Sequence, residues 1–168
     1  MFFNRRSILG GLGALSAASS FGLALEQPRS APILTIRGKV GHTNSSGEAV
    51  FDLGMLSRLP QGITETETPW YPSKTRFEGP LAAELLKSVD CQGQNLKVSA
   101  LNGYAVDIPT NDFRRWPVIL ATHVDGKPIS VREKGPIFVI YPFDREPSLY
   151  NEIYFGRSIW QVQSIEIG

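Results

Sequence analysis

Two stretches of this 168-residue chain, Val118-Ile119-Leu120-Ala121 and Ile137-Phe138-Val139-Ile140-Tyr141, are apolar without interruption. Successive side chains of a strand point to opposite faces, so an unbroken apolar run predicts strands buried on both sides. Elsewhere the apolar residues alternate. Residues 33–40 read as a half-buried strand, residues 42–47 as a turn and Ala49-Val50-Phe51 as the return strand. Residues 63–68 alternate threonine with Ile or Glu, which predicts a strand with one polar or solvent-facing side. Leu96, Val98 and Ala100 alternate into Asn102-Gly103, a two-residue hairpin signal, and Tyr104, Val106 and Ile108 alternate out of it. Asp125-Gly126 marks another turn between the two apolar runs.

Helix signals are fewer. Asp52 can cap a short helix holding Leu53, Leu56 and Leu59, which Pro60 stops. The clearest helix spans residues 80–89, with Pro80 in its first turn and Leu81, Ala82, Leu85, Leu86 and Val89 on one face. Residues 69–78 form a loop with two prolines. Residues 142–156 read as a long, ordered, lid-like loop, because Phe143, Tyr150, Tyr154 and Phe155 sit among its charges. In the last stretch, Trp160 and Val162 point one way and Ile165 and Ile167 the other, which predicts a bulge near Gln163-Ser164. About eight strands with one good helix define an α+β fold with a mixed β-sheet or partial barrel and few helices.

The chain begins with the layout of an export signal. Arg5 and Arg6 form a charged segment without acidic residues, followed by a mildly apolar stretch of Gly, Ala, Ser and Leu. Paired arginines in Asn4-Arg5-Arg6-Ser7-Ile8-Leu9 indicate the twin-arginine route. Gly22-Leu23-Ala24 is a small-x-small cleavage site. The expected organisation is therefore a signal over residues 1–24, a polar linker over 25–31 and one domain over 32–168, located in the periplasm. Residues 8–25 just reach transmembrane length, so an uncleaved signal is the one route to a membrane. Gly10-Gly11-Leu12-Gly13 resembles a phosphate-binding loop but lacks the preceding strand such a loop needs. Losing Arg5 and Arg6 takes the formal net charge from +1 to −1, without the basic excess of a nucleic-acid binder.

Few residues carry chemistry. His42, His123 and Cys91 are the soft or imidazole donors, and no two have metal-ligand spacing. Cys91 stands alone in a polar turn, so it makes no internal disulfide and lacks a cysteine-protease context. Cations are more suggestive. Lys127, Arg132 and Lys134 crowd one segment, Gly135 lets the backbone approach a ligand, and Arg157 precedes the final strand. Such a cluster is most often a solvated face, and the functional reading beside it is a site for a small anionic ligand.

From about residue 33 onward, the order of elements resembles the molybdopterin-binding domain of the sulfite oxidase family. Phe51-Asp52-Leu53 with Leu59-Pro60, Gly79-Pro80-Leu81 with Glu84-Leu85-Leu86, and Gly103-Tyr104 with Ile108-Pro109 follow the family's sequence of motifs. So do Asp125-Gly126-Lys127-Pro128-Ile129, Arg132-Glu133-Lys134-Gly135-Pro136 and Arg157-Ser158-Ile159. The resemblance implies a molybdopterin cofactor and gives Tyr104, Arg132, Lys134, Gly135, Arg157 and Ser158 as candidate cofactor-binding residues. The family's metal-ligating cysteine falls within residues 64–70, which hold no cysteine. Lys134 stands where the family has histidine, Phe138 where it has arginine and Trp160 where it has lysine. A soft metal is held and tuned by its thiolate, so these losses argue against molybdopterin and name no catalytic or metal-binding residue. Two functions follow as expectations. One is a degenerate exported member binding a small ligand or a periplasmic protein partner. The other is a periplasmic molybdopterin-dependent oxidoreductase acting on a small oxo-anion or sulfoxide.

The export reading has a direct test. Arg→Lys changes keep the charge while altering the recognised side chains. The double variant Arg5→Lys with Arg6→Lys is expected to lose mature periplasmic protein in cell fractionation, and undiminished periplasmic protein would assign the signal to the general secretory route.

Overall fold

A computed structural model describes residues 25–168. The segment read as an export signal, with its expected cleavage site and the Gly10-Gly11-Leu12-Gly13 run, lies outside the described residues. Among the described residues, no helix is long and apolar enough to cross a membrane.

Among the described residues the architecture is α+β, with three open sheets and four short α-helices. The largest sheet contains β1 (Leu34–Gly38), β2 (Ala49–Phe51), β5 (Asn95–Ala100), β6 (Ala105–Pro109) and β11 (Val162–Ile167), in the order β2-β1-β11-β5-β6. It is mixed, because β1 runs parallel to β11 while the other neighbours are antiparallel. A second sheet orders β3 (Gln61–Thr66), β4 (Thr75–Pro80), β8 (His123–Val124) and β9 (Lys127–Pro128) in sequence. The third is an antiparallel pair, β7 (Ile119–Ala121) with β10 (Phe138–Ile140). Helices α1 (Leu53–Arg58), α2 (Ala82–Ser88), α3 (Thr110–Arg115) and α4 (Glu152–Arg157) complete the set. No sheet closes into a barrel among the described residues.

The two uninterrupted apolar runs become β7 and β10, every residue of which is buried. Their alternation divides the interior. Leu120 and Val139 join a large core with the five-stranded sheet, α1, α2 and α3. Ile119, Ala121, Phe138 and Ile140 join Phe77 and Ile129 in a smaller core. Each large side chain so buried contributes about 1.5–3 kcal/mol.

Local expectations meet mixed outcomes. β3 has the one solvent-facing side expected of it, and its threonine side is the buried one: Thr64 and Thr66 point inward while Ile63 is exposed. Thr66 is tolerated inside because its hydroxyl donates to Asp144 Oδ1 at 2.8 Å. The Asn102-Gly103 hairpin has a three-residue loop, since Ala100 N bonds Tyr104 O and Gly103 N bonds Ala100 O. Gly103 takes φ +85° there, the left-handed position such a loop requires. Asp125 and Gly126 both have positive φ and form the tight two-residue turn. The bulge predicted near Gln163-Ser164 is present as a register shift between Val162 and Ser164, and it puts Val162 in the same core as Ile165 and Ile167. Helix α4 takes the end of the stretch read as a long loop, β4 takes the end of the loop read over residues 69–78, and α3 forms in a stretch to which the sequence assigned no element. The aromatics of residues 142–156 do pack in order, with Phe143, Tyr150 and Phe155 meeting edge to face.

Residues 25–31 run along the body and are tied to it at Asp52. This carboxylate caps α1 by accepting Met55 N at 2.7 Å, and its other oxygen accepts Arg29 N at 2.7 Å and Ser30 N at 2.9 Å. Asn44 donates to Glu26 O, and Arg58 pairs with Glu26 at 2.8 Å. The Met55 amide, opposed by burial and joined by the Ser30 and Arg29 amides, holds the Asp52 carboxyl down at about 2 from its ordinary 3.8. A carboxylate depressed in the fold contributes stability that is present above its ordinary value and is lost as pH falls through its folded value. The thermal midpoint of the parent should therefore drop more steeply between pH 4 and pH 2 than that of Asp52→Asn, as read by circular dichroism; parallel curves would remove Asp52 from this role.

Candidate functional site

Three distant segments converge on one cleft. The loop between β3 and β4 brings Trp70, the β5–β6 hairpin brings Ala100, Asn102 and Tyr104, and α4 with the residues after it brings Glu152, Phe155, Ser158 and Trp160. The cleft, open on one side, has a volume of about 440 Å³. Its walls are aromatic. The Trp70 ring lies 5.9 Å from Phe155 at 81° and 6.1 Å from Trp160 at 70°, while Tyr104 is half-exposed. Trp160 is fixed by a bridge to Phe138 at the edge of β10. Behind it, Phe138 packs 5.3 Å from Trp70 and 5.8 Å from Trp160.

The α4 segment is anchored from below. Asp112 of α3 is buried, and one of its oxygens accepts both Tyr141 Oη and Arg157 Nη1 at 2.8 Å. Burial, followed by the Asp112 charge, pushes the Tyr141 hydroxyl well above its usual range, so it stays protonated and donates. Arg157 also lies over the Tyr154 ring at 5.3 Å. Its guanidinium is thus engaged at the base of α4 and does not line the cleft. Ser158 does line it, although its hydroxyl is spent on Tyr154 O at 2.9 Å.

Arg132 and Lys134 border a second cleft of about 530 Å³, shared with Tyr71, Lys127, Asp125 and Glu133. Lys134 Nζ sits 5.2 Å from the Tyr71 ring and 6.0 Å from Trp160, so the two clefts meet across Trp160. Burial first, then Glu133 and Asp125, raises the Tyr71 hydroxyl above its ordinary value. Gly135 lines neither cleft. A side chain there would strike the Ile129 carbonyl and Ser130 O, so the close approach it permits is to its own chain.

The six residues singled out from the sequence are therefore divided. Tyr104 and Ser158 share the aromatic cleft, Arg132 and Lys134 share the other, and Gly135 and Arg157 serve the scaffold around them. Trp70, Phe155 and Asp112 were missed as site residues; the density of aromatics in two loops was the available signal for the first two. Cys91 borders a separate groove with Glu84, Lys87 and Arg114, its thiol 3.8 Å from Gly93 O. Among the described residues, no three His, Cys, Asp or Glu side chains gather as a metal site would need.

No protein-family model matches the chain, and no curated protein matches it.

Asp112→Asn removes the charge opposite a partly buried guanidinium and should cost about 2 kcal/mol. Tyr141→Phe removes one hydrogen bond while leaving the ion pair, and should cost about 1 kcal/mol. Urea unfolding checks the order; a smaller loss for Asp112→Asn than for Tyr141→Phe would show that the ion pair does not anchor α4.

Proposed function

We propose that this chain is an exported, non-catalytic ligand-binding module on a scaffold like the sulfite oxidase molybdopterin domain, with the aromatic cleft as its binding site. The observation that carries the reading is the packing of Phe138 and Trp160. They stand where the resemblance implies cationic anchors for the cofactor, and both pack against Trp70. Neither ring offers a cationic donor to a pterin phosphate, and both take up volume that a cofactor would need.

The donor set agrees. Where the resemblance implies a cysteine, Thr66 is bonded to Asp144, and the Thr68 hydroxyl is buried without a partner. A neutral hydroxyl is a poor replacement for a thiolate at a soft metal. Arg157, the surviving cation of the pattern, is committed to Asp112. The residues present do not fit molybdopterin, and the cleft is left as a preformed, largely apolar recess with a few polar groups at its edge.

Protein exported natively from cells able to make molybdopterin is expected to carry far less than one molybdenum atom per chain by elemental analysis, with no pterin fluorescence after extraction. Stoichiometric molybdenum would overturn the reading and favour an oxidoreductase.

A further inference from the structure

We infer that the aromatic cleft binds a small organic cation of the alkylammonium class, a proposal that rests on the binding-module reading above. Its recognition surface is Trp70, Tyr104, Phe155 and Trp160, with Asn102 and Glu152 at the edge. The negative faces of aromatic rings attract a cation within about 6 Å of the ring centre, most strongly where water is excluded. Rings that meet near right angles, as Trp70 does with Phe155 and Trp160, present differently directed faces, which is how a box around a rounded cation is built. The chain already satisfies its own cations this way, with Arg115 4.9 Å from Trp116 and Lys134 5.2 Å from Tyr71.

Charge selects the cation over other ligands. Glu152 is the one ionised side chain lining the cleft; it is exposed and makes no ion pair among the described residues. An anion would meet this carboxylate and no lining cation, because Arg157 is held on Asp112. A bare metal ion would find neither clustered carboxylates nor imidazoles. A methylated ammonium is weakly hydrated, carries apolar surface matched to the rings, and fits a recess of about 440 Å³. Lys134 supplies an opposing charge, since it approaches Trp160 from the neighbouring cleft at 6.0 Å.

This arrangement fixes the sign of two charge variants. Calorimetric titration with choline and tetramethylammonium should show saturable binding. 3,3-Dimethylbutan-1-ol, the neutral isostere of choline, should bind about tenfold more weakly. Glu152→Gln should weaken choline binding severalfold, and Lys134→Gln should tighten it; both side chains are near the surface, so the variants should fold. The inference is overturned if neither cation binds, if the neutral alcohol binds as tightly as choline, or if Glu152→Gln fails to weaken choline binding or Lys134→Gln weakens it. Molybdenum analysis of the same preparation separates the two levels. Metal-free protein that ignores the cations defeats only the ligand class, whereas stoichiometric molybdenum defeats the module reading itself.

Discussion

The β7–β10 ladder has no face toward water, and the remaining layers are arranged to cover it. Because a strand's side chains alternate, its two sides require two separate apolar partners. The five-stranded sheet with α1, α2 and α3 covers one, and the surroundings of Phe77 and Ile129 cover the other. The aromatic cleft forms at the margin of the smaller core, where Phe138 turns its ring toward Trp70 and Trp160. The site is thus an outgrowth of the core, and its walls inherit the core's rigidity.

Asp112 has an influence on this cleft that exceeds its contacts. By accepting from Tyr141 and Arg157 together, it fixes the end of α4 and with it Phe155 and Ser158. It also withdraws a guanidinium from the edge of the recess. One buried carboxylate therefore sets both the shape of a neighbouring site and the sign of the charge around it, which is a general way for a scaffold to be re-tuned without changing the residues that would touch a ligand.

What the sequence made legible was local. The two apolar runs, the Asp125-Gly126 turn, the Asp52 cap, the helix in residues 80–89 and the bulge beside Gln163 each rest on hydrophobic period or backbone geometry within a few residues. Helices α3 and α4 were not legible because six residues such as Thr-Asn-Asp-Phe-Arg-Arg carry no apolar stripe, and tertiary contacts supply what propensity does not. Their ends held a faint signal, with Asp112 and Glu152 in first turns and Arg115 and Arg157 in last turns. Which side of β3 is buried was not legible, because polarity alone does not reveal that Asp144, 78 residues away, will accept the Thr66 hydroxyl. The site was only partly legible for the same reason. Tyr104 stood out by resemblance, but Trp70 comes from one segment and Phe155 with Trp160 from another, and their meeting is decided by the cores between them.

The parallel pairing of β1 with β11 has a consequence for how the molecule comes into being. β11 lies between β1 and β5, so residues 162–167 provide the middle of the main sheet. An elongating chain that has emitted β1, β2, β5 and β6 holds two hairpins with nothing to join them. Only when synthesis has run to residue 167 and that stretch has cleared the ribosome can the first strand be paired along its second edge. Until then the nascent protein carries two unfinished half-sheets, a state in which chaperones would have their longest opportunity to hold it.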